Sequence, residues 1–253
     1  MNALTNFEAL SRADRQAQVV HALSAVLPSH ALLYTLEDTV PYECDGLTAY
    51  RERPLVVALP ETENQVQAVL KTCHALGVPV VARGTGTGLS GGAMPHKLGV
   101  TLSMAKFNQI VKIDPLSRTA VVQCGVRNLA ISEAASPHGL YYAPDPSSQI
   151  ACTIGGNVAE NSGGVHCLKY GLTLHNVLKV KGFTIEGDAI TFGSDALDTS
   201  GFDLLAVLVG SEGMLAITTE VTVKLVPKPQ LARCIMASFD DIRKAGDAVA
   251  AVI

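Results

Sequence analysis

Hydrophobic and polar positions in the first hundred residues follow the order of a buried strand, an amphipathic helix and a second buried strand. Residues 55–59 form a short apolar run that predicts a strand. Apolar side chains then recur at helical spacing, from the capping residue Thr62 to the stop at Gly77. The apolar runs 78–82 and 99–104 predict two further strands. A strand, a helix and a strand in succession predict a parallel unit with a right-handed crossover.

The second half of the chain instead shows the period-two alternation that is typical of antiparallel strands. Two pairs of alternating runs flank turn-forming residues and predict hairpins over residues 110–124 and 177–192. A strand over residues 217–225 follows, with apolar side chains on one face and polar side chains on the other. A short helix over residues 129–135 completes this part, which we predict to be largely antiparallel sheet.

The two ends of the chain carry patterns of their own. Residues 7–27 have helical periodicity. Residues 233–239 predict a strand, and Ser238 is the predicted cap of a helix that runs to the end of the sequence. One strand and one helix cannot bury each other's apolar faces alone. We therefore expect residues 230–253 to begin a further domain, so that the sequence is an excised fragment or half of a split enzyme.

These patterns together predict an α+β fold of two lobes. Residues 1–54 form an N-terminal helical segment, and residues 55–106 form a small parallel α/β lobe. Residues 107–229 form a larger, mainly antiparallel lobe with helices, and residues 230–253 start a truncated substrate or cap domain. The length of 253 residues, 48% of them hydrophobic, is sufficient for a substantial core.

Composition and charge exclude several classes of partner. The net charge of −4 and the scattered lysines and arginines leave no surface for nucleic acid. No apolar run is long enough for a membrane span, and the N-terminus lacks a signal-peptide pattern, so we expect a cytoplasmic protein. The six cysteines stand far apart without a Cys-x-x-Cys pair, and the histidines are dispersed, so no metal or iron–sulfur site is predicted.

The strongest chemical signal is a glycine-rich run directly after the predicted strand 78–82. Five glycines stand within the nine positions from 84 to 92, which we call the glycine loop. Glycine reaches positive φ and lets a ligand touch the main chain. Successive backbone N–H groups around a concavity bind anions, most often phosphate. The glycine loop therefore predicts a site for a ligand that carries phosphate.

Two familiar phosphate motifs fail here because of their context. Gly86-x-Gly88-x-x-Gly91 has the spacing of the dinucleotide fingerprint, but a strand rather than a helix follows it. The loop of nucleotide hydrolases needs Lys and then Ser or Thr after its last glycine, where this chain has Ala93. A glycine-rich turn without a ligand stays open as an alternative for this loop taken alone.

Two more clusters of glycine and small polar residues follow in the antiparallel half. One spans residues 144–164 and contains two Gly-Gly pairs together with Asn157 and Asn161. The other is Gly210-Ser-Glu-Gly213. Each alone is compatible with an ordinary loop that makes its own turns. Three such clusters, separated by core elements, favour one extended ligand with several polar parts.

At these residues the chain resembles a known family. The glycine loop, residues 141–150, residues 154–164 and residues 210–214 stand in the order found in the FAD-linked oxidase superfamily, the vanillyl-alcohol oxidase or PCMH type. The stretch 42–50 agrees as well, and the resemblance runs from residue 34 to residue 239. Within this superfamily the resemblance is to the D subunits of bacterial glycolate oxidases.

The resemblance implies a PCMH-type FAD-binding fold of two subdomains, with FAD extended between them. Residues 84–90 would donate N–H groups to the pyrophosphate. The flavin, ribityl and pyrophosphate region would be lined by Pro144, Asp145, Ser148, Gly155, Gly156, Asn157 and Gly164. The adenosine part would lie by Glu212, Gly213 and Ile217. Some relatives attach flavin covalently through a histidine, and Thr87 stands at that place here, so we expect non-covalent FAD. The implied cofactor-binding residues are Arg83, Gly84, Thr85, Gly86, Thr87, Gly88, Leu89, Ser90, Pro144, Asp145, Ser148, Thr153, Gly155, Gly156, Asn157, Asn161, Gly163, Gly164, Glu212, Gly213 and Ile217.

The resemblance also implies a reaction, the transfer of hydride from a 2-hydroxy acid to FAD, with glycolate as the favoured substrate. Such enzymes carry a C-terminal substrate domain rich in histidine, so we expect this chain to be inactive alone and assign no catalytic base. His166 and Tyr170 lie in a matching stretch, where we expect structural roles. Three alternatives stay open: an enzyme of the D-lactate dehydrogenase type, a flavin reductase of cell-wall precursor synthesis, and a non-catalytic FAD-binding or assembly module.

Partners follow from the same resemblance. We expect an iron–sulfur subunit and a second subunit with a flavin domain, which would carry electrons onward in an oxidase complex. Peripheral association with the inner membrane through this complex is the alternative to a purely cytoplasmic location.

Overall fold

The computed structural model describes residues 10–195 and 201–252. Its first sheet contains the strands β1 (Leu32–Leu33), β2 (Val56–Ala58), β3 (Val80–Arg83) and β4 (Val100–Ser103). The strand order is β1-β2-β4-β3, in which β2, β4 and β3 are parallel and β1 is an antiparallel edge strand. The predicted parallel unit is confirmed. The insertion of β4 between the two earlier strands is a feature that the sequence pattern did not predict.

Helices α1 (Arg12–Leu23), α2 (Leu36–Thr39) and α3 (Glu63–Leu76) belong to this part of the chain. The ends of α3 are set locally, because the Thr62 hydroxyl accepts a hydrogen bond from the Gln65 N–H and Gly77 ends the helix with a φ of 65°. Apolar side chains of α1, α3 and the sheet form one buried cluster. The predicted helix 7–27 is confirmed only in part, since α1 is shorter and residues 7–9 lie outside the described residues.

The second sheet has five antiparallel strands in the order β5-β6-β10-β8-β9. The two predicted hairpins are β5 (Ile110–Asp114) with β6 (Thr119–Gln123), and β8 (Val177–Phe183) with β9 (Ala189–Gly193). The strand β10 (Ile217–Lys224) pairs with β6 on one side and β8 on the other, so it joins the two hairpins into one sheet. The predicted α+β combination of a parallel and an antiparallel sheet is therefore confirmed, while the division of the chain into four segments stays a prediction.

Shorter elements cover the second sheet and lead to the first. They are α4 (Asn128–Ala135), β7 (Leu140–Tyr141), α5 (Ile154–Glu160), α6 (Cys167–Tyr170), α7 (Thr173–Asn176), α8 (Leu204–Leu208) and β11 (Val226–Pro227). Ile131 of α4 and Ile154 of α5 are fully buried in a second apolar cluster with Val221 of β10. Helix α5 packs on β10 of the antiparallel sheet, and its last residue, Glu160, contacts Gly88 in the glycine loop that follows β3.

The C-terminal segment differs from its prediction. Residues 233–239 form no strand and are exposed, because no neighbouring strand offers hydrogen-bond partners to their backbone. The last described helix, α9 (Ile242–Val252), begins after Asp241, whose Oδ1 accepts a hydrogen bond from the Arg243 N–H (2.7 Å). The cap predicted at Ser238 is therefore wrong by three positions. Across the described residues, each helix is too short or too polar to traverse a lipid bilayer.

Candidate functional site

An open cleft lies where the carboxyl end of β3 faces α5 and the start of β10. Its volume of about 370 Å³ lies within the range of about 300–1,000 Å³ that small-molecule sites occupy. Three runs of the chain supply most of its lining, within residues 82–93, 146–163 and 208–218. These are the three glycine-containing clusters of the sequence, and the fold brings them to one place.

The glycine loop is anchored from behind by Arg83, the last residue of β3. Its Nη1 donates hydrogen bonds to the Cys44 carbonyl oxygen (2.8 Å) and the Ala93 carbonyl oxygen (3.4 Å), and its guanidinium lies over the Tyr42 ring at 5.6 Å from the centroid. Burial lowers the pKa of Arg83, whereas nearby Cys44, Asp45 and Tyr42 act to raise it. Arg83 is therefore a buried tie between both ends of the loop and the segment before β2.

Two glycines allow this tie to form. Gly86 has a φ of 71°, and a Cβ there would run into the Arg83 guanidinium. A Cβ at Gly46 would stand 2.7 Å from the carbonyl oxygens of both Thr87 and Gly88. The segment around residue 46 thus supports the loop on the side away from the cleft, with main chain packed directly on main chain.

The front of the loop offers donors. Within the described part of the chain, the backbone N–H groups of residues 85–90 donate no hydrogen bond. An unpaired N–H group is costly unless a ligand or water accepts its hydrogen bond. A run of such groups beside a cleft is the arrangement that binds phosphate oxygens.

The opposite side of the cleft, which we call the helix wall, comprises residues 152–163 around α5. The Gly155 N–H donates to the Cys124 carbonyl oxygen (2.8 Å), and a Cβ at Gly155 would lie 2.8 Å from the Cys124 Cβ. Gly156 is less confined, because its Cβ would meet only the Thr153 Oγ1, at 3.4 Å. Thr153 also limits the loop across the cleft, since a Cβ at Gly84 would run into the same hydroxyl.

Buried amide side chains fix the helix wall to its support. The Asn157 Nδ2 donates to the Asn128 Oδ1 (2.8 Å), and the Asn128 Nδ2 donates to the Pro144 carbonyl oxygen (3.0 Å). Both asparagines are almost fully buried. This relay places Asn157 and Pro144 in one polar network, although only Asn157 lines the cleft.

The third run is attached to α5 by main-chain hydrogen bonds. The Gly210 N–H donates to the Val158 carbonyl oxygen and the Glu212 N–H to the Ala159 carbonyl oxygen, both at 2.8 Å. Glu212 has a φ of 54°, a left-handed conformation that is unfavourable for a residue with a Cβ. Ser211 lines the cleft, and its buried Oγ has no hydrogen-bond partner among the described residues.

Acidic side chains and thiols of the cleft are perturbed by burial. Burial raises the pKa of Glu160, with Asp45 adding to the effect, and burial, Glu160 and Asp45 together raise that of Glu212. Burial also raises the pKa of the Cys152 thiol and that of Cys124, the latter to about 12, so both thiols stay protonated at neutral pH.

Most of the residues predicted from the sequence to bind the cofactor line this cleft. They are Arg83, Gly84, Thr85, Gly86, Thr87, Gly88, Leu89, Ser90, Ser148, Thr153, Gly155, Gly156, Asn157, Gly163, Glu212, Gly213 and Ile217. The other four, Pro144, Asp145, Asn161 and Gly164, are not among the residues that line it. Asn161 ends α5 in a left-handed conformation, and Gly164 packs so closely on Asp145 that a Cβ would overlap its backbone.

The structure also brings to the site several residues that were not predicted from the sequence. Glu160, Cys124, Cys152, Ser162 and Ser211 line the cleft. Glu160 directly precedes Asn161 in a recognised cluster, so its position was an available signal. Cys124 ends a predicted strand and carried no such signal.

His166 and Tyr170 lie outside the cleft lining. The His166 Nδ1 is 2.7 Å from the Asp145 Oδ2, and Tyr141 and Tyr170 make an edge-on ring contact. These contacts hold the segment after the helix wall. Among the described residues, no group of three or more histidine, cysteine or acidic side chains is arranged to hold a metal ion.

Comparison with known proteins agrees with this geometry. The family described as "FAD binding domain" matches residues 54–193. The glycolate oxidase subunit GlcD of Escherichia coli (strain K12) is 63% identical over 245 residues, which are 97% of this chain and 49% of the relative. A D-lactate dehydrogenase of Archaeoglobus fulgidus is 40% identical over 174 residues, 68% of this chain and 39% of the relative. The chain thus spans about half the length of the curated relatives it matches, or less.

A solved structure shares the fold. Alkyldihydroxyacetonephosphate synthase superposes with a TM-score of 0.74 over 85% of this chain and 41% of that protein, at 22% sequence identity. At this identity the likeness concerns the arrangement of the two sheets and the elements between them.

Proposed function

The chain belongs to the FAD-binding domain family, and from this premise we propose that its cleft holds FAD non-covalently for the oxidation of a 2-hydroxy acid, with glycolate as the favoured substrate. The observation that carries the proposal is the convergence of the three glycine-containing runs on one cleft. A ligand held by all three must be elongated and must have polar groups along its length, as FAD does.

The chemistry of the cleft fits this cofactor. Free N–H groups of residues 85–90 suit the pyrophosphate. Gly84, Gly88 and Gly92 let the glycine loop approach Thr153, Glu160 and Glu212 closely, because a Cβ at each glycine would run into one of these side chains. The hydride acceptance is chemistry that a bound flavin supplies.

Non-covalent binding is part of the proposal. Thr87 lines the cleft at the place where the resemblance puts an attachment histidine, and a threonine hydroxyl is a poor nucleophile without an adjacent base. Denaturing the flavin-loaded protein with acid tests this point, because non-covalent FAD stays in the supernatant and covalent flavin precipitates with the chain.

The cofactor proposal is tested by the visible spectrum of the purified chain before and after added FAD. We expect a flavin spectrum that survives removal of free FAD. A chain that keeps no flavin after such treatment would contradict the proposal.

The substrate is tested by anaerobic mixing of the FAD-loaded chain with glycolate. Bleaching of the flavin supports an oxidase of glycolate, whereas an unchanged spectrum supports a binding module in this chain alone. D-lactate is the second candidate, because D-lactate dehydrogenase relatives also match. Parallel mixing with D-lactate separates the two.

The partner proposal rests on the word "subunit" in the name of the most extensive match above. We propose an iron–sulfur subunit and a second subunit with a flavin domain, with peripheral association of their complex with the inner membrane. Co-purification with the tagged chain, followed by iron analysis, tests the iron–sulfur partner, and fractionation of membranes tests the location.

A further inference from the structure

Two carboxylates of the far side stand directly against the glycine loop. A Cβ built on Gly88 would run into the Glu160 carboxylate, and one built on Gly92 would run into that of Glu212. Both glutamates line the cleft. A ligand with phosphates on the loop would therefore lie within reach of two acidic groups, where like charges would repel each other.

The fold holds the two acids in these positions. Glu160 is the last residue of α5. Glu212 keeps a left-handed φ of 54°, and its N–H is bonded to the Ala159 carbonyl oxygen, one residue before Glu160. The backbone at both positions is therefore fixed beside the glycine loop.

The surroundings supply little compensating positive charge. Arg83 is the only basic side chain among the described residues that line the cleft, and its guanidinium is bonded to two carbonyl oxygens. Asp45, in the segment before β2, is a further acidic residue. It is 4% exposed, and its Oδ2 has no hydrogen-bond partner among the described residues. The helix wall adds the Cys152 thiol, which the charge of Glu160 helps to keep protonated.

We propose that Glu160 and Glu212 are protonated when the diphosphate of the cofactor lies on the glycine loop, so that FAD binding takes up protons and weakens as the pH rises. A protonated carboxyl group has lost its charge and has gained an O–H donor that a phosphate oxygen accepts. The inference rests on the proposed function and describes how the same site is controlled.

The direction of the effect follows from linkage. Burial and neighbouring acids already raise the pKa of both glutamates in the free protein, and an added anion raises it further. Between the free and the bound pKa, each acid takes up a proton on binding, and the Kd rises up to about tenfold per pH unit for each proton. Below both values the Kd is independent of pH. The window begins above the ordinary glutamate pKa of about 4.3.

A divalent cation between the acids and the diphosphate is the competing explanation. Magnesium is often bound by one or two carboxylates together with phosphates. The described residues contain no group of three ligating side chains for a metal ion. A cation here would therefore take part of its ligands from the diphosphate, and the magnesium and chelator measurements below separate it from proton uptake.

The experiment is calorimetric titration of the flavin-free chain with FAD, from about pH 5 to about pH 8.5. Buffers of different ionisation enthalpy report the number of protons taken up, and flavin fluorescence gives the Kd independently. We expect an uptake of about one to two protons near neutral pH and a Kd at least about tenfold higher at the alkaline end. This part needs no variant, so it is independent of any folding defect.

Three variants sharpen the result. Glu160→Gln and Glu212→Gln are each expected to bind FAD more tightly at the alkaline end and to lose part of the proton uptake. Glu133→Gln, at an exposed position of α4, is the matched control and leaves both unchanged.

The possible results distinguish the inference from the proposed function on which it rests. FAD binding with a constant Kd and no proton uptake overturns the inference and leaves the proposed function standing. Absence of FAD binding at every pH overturns both. A Kd that falls with added magnesium, and whose pH dependence disappears with a chelator, assigns the acids to a cation instead.

Discussion

The glycine loop and the helix wall face each other across one cleft, yet they use glycine for different reasons. In the loop, Gly86 and Gly91 have φ values of 71° and 82°, and the main chain curls so that its N–H groups stay free. In the helix wall, Gly155 is helical and is required because its Cβ would collide with Cys124. Glycine at one wall shapes the backbone toward a ligand, whereas glycine at the other lets a helix approach a strand.

We therefore expect the two walls to respond differently when their glycines are substituted. Substitution of Gly155 pushes α5 off residue 124 and disturbs the apolar cluster to which Ile154 and Val158 of α5 belong. Substitution in the loop strains an exposed turn and its anchor but leaves the sheets intact. Substitutions in the helix wall should therefore mainly lower the free energy of unfolding. Substitutions in the glycine loop should mainly lower the affinity for the cofactor.

The largest expected effect is Gly155→Val. Its Cβ alone would lie 2.8 Å from the Cys124 Cβ and 3.0 Å from the Cys124 carbonyl oxygen, atoms that cannot swing away. We expect a loss of about 3 kcal/mol of unfolding free energy, measured by denaturant titration. The control is Gly156→Ala, whose Cβ has more room and which should change stability by less than about 1 kcal/mol. Equal losses in the two variants would contradict the packing role of Gly155.

Next in size is Gly86→Ala compared with Gly91→Ala. Both positions have positive φ, so each substitution should cost about 1–2 kcal/mol of stability. Only at position 86 does the new methyl group displace the Arg83 guanidinium. We expect Gly86→Ala to weaken FAD binding by about tenfold or more, equivalent to at least about 1.4 kcal/mol, with circular dichroism unchanged. Similar flavin retention by both variants would show that the anchor does not shape the loop.

A smaller effect is expected for Arg83→Lys, which keeps the charge but loses the planar fork. Loss of the hydrogen bonds to Cys44 and Ala93 should lower the free energy of unfolding by about 1 kcal/mol and weaken FAD binding by less than Gly86→Ala does. The control is Arg51→Lys, at an exposed ion pair with Glu43, which should change stability by less than about 0.5 kcal/mol. If the two variants melt at the same temperature, Arg83 is not a buried tie.

The smallest effect concerns the acid that bridges the two walls. The pKa of Glu160 is raised in the folded protein, so the unfolded chain loses this proton first and stability falls as pH rises above the ordinary glutamate value. In the cofactor-free protein, Glu160→Gln should remove this fall in stability with rising pH. We expect its melting temperature to match the wild type at about pH 4 and to exceed it slightly at about pH 8. A difference that does not change with pH would point to packing instead.

Features with a local cause were predictable. Helix α3 has its cap, its apolar spacing and its stop glycine within one short stretch, and its bounds follow from them. The hairpins follow from alternation interrupted by turn residues, as when the Asp114 carboxylate accepts hydrogen bonds from the N–H groups of Leu116 and Ser117. The strand predicted at residues 233–239 failed because extended structure needs a partner that alternation alone does not supply.

Sequence composition predicted which runs of the chain form the candidate site, but not which residues contact each other there. Glycine density marked all three runs, because few other residues tolerate positive φ or close approach. Nothing in the spacing indicated that Gly46 packs on Thr87, or that Glu160 faces Gly88 across the cleft. Nor did the spacing indicate that the Asn157 amide nitrogen, in a residue that lines the cleft, donates a hydrogen bond to Asn128.

The sequence by itself determined the kinds of element, their order and the runs of bare main chain, since these depend on residues that are neighbours in the chain. Only the tertiary structure decided that β4 lies between β2 and β3, that β10 joins two hairpins, and that two glutamates face the glycine loop. The physical reason is that such contacts join residues far apart in sequence. Their partners are selected by the packing of the whole chain and not by any local pattern.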